Sequence, residues 1–230
     1  MQPHYLIVNL KPFIMLLMDN FNDKTLDEFT RLTLSSSPAP GGGSVSALVG
    51  SLAASLSGMV ASLSLNNKSC DAVREDMLEL QKKADTIRLE LLAAIQKDAG
   101  SFTGYMSALK LPKNTEEEIA VRNETLQNEL KKTTLIPIEI AEKIFEIFPL
   151  AETAISKGTA AARTDAILSV ILARSAVLGS ALNVRINLLS IKDHNFVAEY
   201  GKKTAQLEVD AVKYEKELLL SCDITSNIKL

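Results

Sequence analysis

Three stretches of this 230-residue chain place reactive or permissive residue types where packing alone does not explain them. The first is Pro38-Ala-Pro-Gly-Gly-Gly-Ser44, two prolines and three glycines directly before a long apolar run. Glycines without a Cβ let backbone N–H groups at a helix start approach a carboxylate, a carbonyl oxygen or a phosphate. Pro40, Gly41, Gly42, Gly43 and Ser44 are therefore candidate ligand-binding residues. The plain alternative is an ordinary helix N-terminus with Ser44 close to the cap. A nucleotide P-loop is not supported, because no Lys-Ser/Thr pair follows the glycines and no strand precedes them.

The second stretch carries a carboxylate. Val73, Met77, Leu80, Ala84, Ile87, Leu91 and Ala94 recur every three or four residues, and Phe102, Tyr105 and Leu109 resume the stripe. The position between them is Asp98. A carboxylate on a buried stripe is costly unless paired or hydrogen-bonded; the other reading places Asp98 at the stripe's edge or at a cap. In the third stretch, Asp165, Ser169, Ala176, Ser180, Asn183 and Asn187 share one face of an apolar segment. Such a polar stripe needs internal partners or a ligand. Asn183 and Asn187 lie one turn apart and suit the hydrogen-bonding edge of a heterocycle, while Arg185, on a different face, suits a carboxylate. An interhelical amide pair with a surface arginine fits the same spacing.

These residues must be positioned by helices. Thr25–Leu34 reads as a short helix and Ser44–Ser64 as about 21 residues of helix, roughly 30 Å long. The latter's length would suit a membrane span, but its seven serines argue against one. Ser46, Gly50, Ala54, Gly58 and Ser62 form a small-residue ridge at i+4 spacing, which admits a close neighbouring helix. Further helices are expected over 71–109, from a Thr115/Glu118 capping box to Gly158 with kinks or breaks at Pro137 and Pro149, over 164–190, and over 195–220. The last shows Val197, Tyr200, Thr204, Leu207, Ala211, Tyr214 and Leu218 at heptad spacing. The fold class is all-α, a single antiparallel bundle of about six helices. Residues 1–18 read as a leader or extension outside the fold, and 19–230 as one helical domain.

Composition narrows the function classes. The chain is 47% hydrophobic and 23% charged with a net charge of −3, which gives no electrostatic case for nucleic acid or an anionic membrane. Cys70 and Cys222 are far apart with no CxxC spacing, and His4 and His194 are the only histidines. A disulfide framework, a zinc site and a histidine-rich metal site are not expected, and a cytoplasmic setting is.

Three ordered blocks, SPAPGGGSVSAL, KDAGSFTGYMSALKLPK and TDAILSVILARSAVLGSALNVRINLLSIKD, resemble the cyclodeaminase/cyclohydrolase family over about residues 22–220. That family includes the C-terminal half of formiminotransferase-cyclodeaminase and stand-alone methenyltetrahydrofolate cyclohydrolases. The resemblance implies a helical bundle that forms a homodimer, acts on one-carbon tetrahydrofolates and needs no metal or redox cofactor. By matching position it implies catalytic roles for Asp98 or Asp165. It further implies substrate binding by Pro40–Ser44, Asn183 and Asn187, with Arg185 or Arg163 facing the glutamyl tail. Gly158-Thr159 and Thr164-Asp165 stand where relatives often carry Gly-Asn and Ser-Asp. The expected activity is formiminotetrahydrofolate cyclodeaminase, partnered by a separate glutamate formiminotransferase in histidine breakdown. Methenyltetrahydrofolate cyclohydrolase is the alternative, and a non-catalytic folate- or protein-binding helical dimer the second alternative.

Overall fold

The computed structural model describes residues 20–225, so the expectations for the leader at 1–18 and for His4 lie outside the described residues. Among the described residues the α-helices are α1 (Leu26–Leu34), α2 (Gly42–Leu65), α3 (Arg74–Leu109), α4 (Glu116–Phe145), α5 (Ile147–Lys157), α6 (Arg163–Leu188) and α7 (His194–Leu220). No strand occurs among them. The segment expected to kink is divided: α4 ends at Phe145, and Pro149 falls in the first turn of α5, where its missing N–H costs no intrahelical bond. Pro137 instead lies inside α4, which continues past it.

Local chemistry sets the helix starts. Thr25 and Glu28 cap α1 reciprocally, each side chain binding the other's backbone N–H. At α4 the box is half made: Thr115 accepts the Glu118 N–H at 3.2 Å, while the Glu118 carboxylate takes the Asn114 N–H at 2.7 Å. Asp193 caps α7 by accepting the N–H groups of Asn195 and Phe196 and is held by Lys131 of α4 at 2.7 Å.

Helix α2 is the centre of the bundle. It runs antiparallel to α3, with Ser44 beside Asp98 and Ser62 beside Gln81, and antiparallel to α6, with Gly42 beside Asn183 and Ser57 beside Ser169. The i+4 ridge makes these approaches possible. A Cβ on Gly50 would come within 2.5 Å of Ile144 and 3.1 Å of Leu91, and one on Gly179 of α6 within 2.5 Å of the Ser46 hydroxyl. Both α2 and the 160–188 stretch are long and apolar enough to cross a membrane, each with mean hydropathy 1.7. Here they pack against each other through a 2.9 Å Ser57–Ser169 bond, and Ser169 also donates to the Ala53 carbonyl at 2.7 Å. Their other sides keep an exposed apolar row: Leu52, Met59 and Leu63 on α2, and Leu168, Leu182 and Ile186 on α6.

The buried line of α3 departs from the expected one in an informative way. It follows Met77, Leu80, Ala84, Ile87 and Leu91, then continues through Ile95 and Ala99, not through 94, 98 and 102. A straight helix repeats at 3.6 residues, so a line read in steps of three and four drifts sideways over ten turns. Asp98 therefore stands at the edge of the core. On α7 the expected face is the buried one, with Thr204, Ala211 and Leu218 inside and Tyr214 stacked on Phe148 at 5.4 Å between ring centroids.

Candidate functional site

The glycine run and Asp98 explain each other. Gly41 occupies the N-cap of α2 and has no side chain to accept the orphan N–H groups of the first turn. The carboxylate of Asp98, arriving from α3, takes that place. It accepts the Ser44 hydroxyl at 2.8 Å and the Ser44 backbone N–H, the bond a capping side chain would ordinarily receive. Gly43 is required by this approach, because a Cβ there would lie 2.2 Å from Asp98 Oδ1. The anion held by the glycine loop is thus the protein's own carboxylate. The positive end of α2 steadies it.

Burial dominates the electrostatics of Asp98 and raises its pKa above the ordinary 3.8, against the lowering effect of the Ser44 hydroxyl and N–H. A carboxyl group so placed gains and loses a proton closer to neutrality than an exposed aspartate does. It opens onto a cleft of about 260 Å3 whose walls include Gly42, Phe102, Thr133, Pro137, Asn183 and Asn187. Among the described residues three larger surface grooves, of about 660, 730 and 390 Å3, lie elsewhere. The first is walled by lysine–carboxylate pairs such as Lys157–Asp76 and the second by α2 and α3 side chains. Size alone would favour them; the small cleft is the one that holds the half-buried carboxylate of Asp98.

Asn183 and Asn187 do face the cleft, and each amide is oriented by a protein carbonyl. Asn183 Nδ2 donates to the Gly179 carbonyl at 2.8 Å, and its amide lies against Gly42, where a Cβ would come within 3.1 Å. Asn187 Nδ2 donates to the Thr133 carbonyl of α4 at 3.3 Å. Because a carbonyl can only accept, each contact identifies the NH2 end of the amide. Both side-chain oxygens are left as acceptors. With Asp98 they give the cleft an acceptor-rich wall, suited to a ligand edge that donates hydrogen bonds or carries positive charge.

Other expected residues lie apart from this group. Pro40 is buried behind the loop, next to the cleft residues Ala39 and Gly41. Asp165 and Arg163 sit in the first turn of α6, 18 and 20 residues before Asn183, hence roughly 27–30 Å along the helix axis. Within one chain Asp165 cannot share a reacting atom with Asp98, since a common face says nothing about distance along it. Arg185 is turned to α7, where its guanidinium pairs with Glu208 through Nε at 3.0 Å and through Nη2. Neither arginine reaches the cleft. Thr159 is buried and structural: its N–H donates to Ser64 at 2.8 Å and its hydroxyl accepts from Asn67 at 3.0 Å. Phe102, Thr133 and Pro137 were not anticipated at the site. Pro137 was legible only as a helix irregularity, and Phe102 only as part of a stripe.

At the level of class, this is an all-α bundle that places a carboxylate of raised pKa at a small, acceptor-rich cleft. Residues 25–206 match the family model described as formiminotransferase-cyclodeaminase, and the chain belongs to that family. It is 33% identical over 189 residues to the methenyltetrahydrofolate cyclohydrolase of Methylorubrum extorquens, covering 82% of this chain and 91% of that protein. It is 32% identical over 188 residues to the formimidoyltransferase-cyclodeaminase of Gallus gallus, covering 82% of this chain but only 35% of that protein. The fold superposes on the crystal structure of formiminotetrahydrofolate cyclodeaminase from Thermotoga maritima with a TM-score of 0.76 at 25% identity, covering 86% and 94% of the two chains.

Proposed function

We propose that the chain is a formiminotetrahydrofolate cyclodeaminase whose proton-transfer group is Asp98. The observation that carries this reading is a half-buried carboxylate with a raised pKa, fixed on Ser44 at the mouth of α2 beside two oriented amides. In the substrate the formimino group is an amidine that is positively charged when protonated, and the pterin ring presents N–H donors along one edge. Asn183 and Asn187 oxygens would receive that edge. The Asp98 carboxylate would lie against the cation.

The reaction then needs one group that can both take and give a proton. The arylamine nitrogen attacks the formimino carbon, a C–N bond forms, and Asp98 accepts the proton that this nitrogen sheds. Protonated Asp98 returns it to the former imino nitrogen, the C–N bond to that nitrogen breaks, ammonia leaves, and the methenyl cation remains. Ser44 follows the charge on Asp98 throughout, donating most strongly when the carboxylate is ionised. We further propose that a formiminotransferase supplies the substrate, since the relative from Gallus gallus is named for both activities. We further propose a cytoplasmic homodimer, with the apolar rows on α2 and α6 as the buried face.

A second reading is favoured by the similarity to a cyclohydrolase over nearly that protein's whole length. There, water adds to the methenyl carbon and Asp98 takes its proton. As the ring C–N bond breaks, one proton goes to the ring nitrogen and one to solvent, leaving the formyl derivative. Incubating purified protein with each folate, while following methenyl absorbance and ammonia separately, distinguishes the two. Methenyl formation with stoichiometric ammonia supports the deaminase, and loss of methenyl absorbance without ammonia supports the hydrolase. Tight binding without turnover of either would leave a folate-binding bundle and end the enzymatic proposal.

A further inference from the structure

Pro137 sits inside α4, where proline both removes a helix hydrogen bond and crowds the preceding turn, yet the helix continues through it. The bond it removes is the one its own N–H would give to the carbonyl four residues back, that of Thr133. This carbonyl is the acceptor that Asn187 uses, through Nδ2 at 3.3 Å, across the gap from α6 to α4. Thr133 and Pro137 are both buried, and both line the cleft that holds Asp98 and Asn187. The Thr133 hydroxyl is already committed to the Glu129 and Leu130 carbonyls at 3.0 Å, so the vacancy left by proline falls on the backbone oxygen alone.

We propose that Pro137 is a positioning residue that acts through Asn187. By withholding an N–H it leaves the Thr133 carbonyl open to the Asn187 amide, and that contact holds the amide with its nitrogen to α4 and its oxygen to the ligand. With any other residue at 137, the backbone N–H would share the Thr133 carbonyl and take one of its two lone pairs, loosening the 3.3 Å contact that orients the amide. The bound molecule would then meet an acceptor only part of the time. This inference rests on the folate reading for its kinetic consequence but not for its structural one.

The test uses Pro137→Ala, Asn187→Ala and the double variant in the full chain. Alanine is the best helix former, so Pro137→Ala keeps α4 helical. In a spectrum of asparagine side-chain amides, the Asn187 pair is identified by its loss in Asn187→Ala. In Pro137→Ala that pair is expected to move to the positions of solvent-exposed asparagines. With the folate that the protein turns over, Pro137→Ala is expected to raise KM about three- to tenfold, the worth of one hydrogen bond, while kcat changes less than twofold. In the Asn187→Ala background the same change at 137 should add nothing, because the group it acts through is gone. An Asn187 amide signal that stays in place in Pro137→Ala overturns the proposal, as do KM effects that multiply in the double variant. If the wild-type protein turns over neither folate, the enzymatic reading fails, and the amide signal still decides the role of Pro137.

Discussion

At Asp98 burial and hydrogen bonding pull the proton equilibrium in opposite directions, and burial prevails. This has a consequence for stability that is separate from catalysis. The folded-state pKa lies above the ordinary 3.8, so between the two values the folded chain binds more protons than the unfolded one. The contribution of this group to stability is therefore present below about pH 3.8 and is lost as pH rises through the raised value. Asp98→Asn keeps an acceptor for Ser44 and removes the half-buried charge. Its unfolding free energy is expected to equal or exceed that of the wild type at pH 7 and to lack this falling component, as measured by denaturant titration at a series of pH values. Ser44→Ala acts oppositely on the proton: without the hydroxyl, the Asp98 pKa rises further, and the acid limb of the rate profile moves to higher pH.

Among the helices, identical substitutions should have opposite signs according to what surrounds the glycine. Gly50 of α2 faces Ile144 at a distance no Cβ can share and Leu91 at a tight one, so Gly50→Ala is expected to cost about 1–3 kcal/mol through overpacking. Gly100 lies inside α3, where an added Cβ would meet nothing within 4 Å, so Gly100→Ala is expected to stabilise by about 0.5–1 kcal/mol. Thermal or denaturant unfolding of both variants checks the pair. The small-residue ridge that separates these cases was legible in the sequence, as were the helix starts at Thr25 and Thr115, because both depend on neighbours within one turn. The side of α3 on which Asp98 stands was not, since a small error in period accumulates along 36 residues. Nor could spacing show that α2 is capped from α3, or that a proline in α4 leaves a carbonyl for α6. Each depends on contacts between helices remote in the chain.

For the whole molecule, the all-α class and the glycine–Asp98–asparagine association followed from the sequence and its resemblance. Within one chain, the length of α6 and the Glu208 pair keep Asp165, Arg163 and Arg185 apart from the Asp98 cleft. The exposed rows on α2 and α6 bear on assembly. Leu182 is 64% exposed, so Leu182→Glu is expected to leave the helical content intact while shifting a dimer to monomer in sedimentation velocity. Unchanged sedimentation would remove this face from the interface. The central claim is that Asp98 moves the proton during folate turnover. The most direct measurement is the initial rate of methenyl formation and ammonia release from formiminotetrahydrofolate, by the wild type and by folded Asp98→Asn. Turnover is expected from the wild type, with a loss of about 10²- to 10⁴-fold in kcat in the variant while folate still binds. Equal rates in the two proteins would contradict the claim.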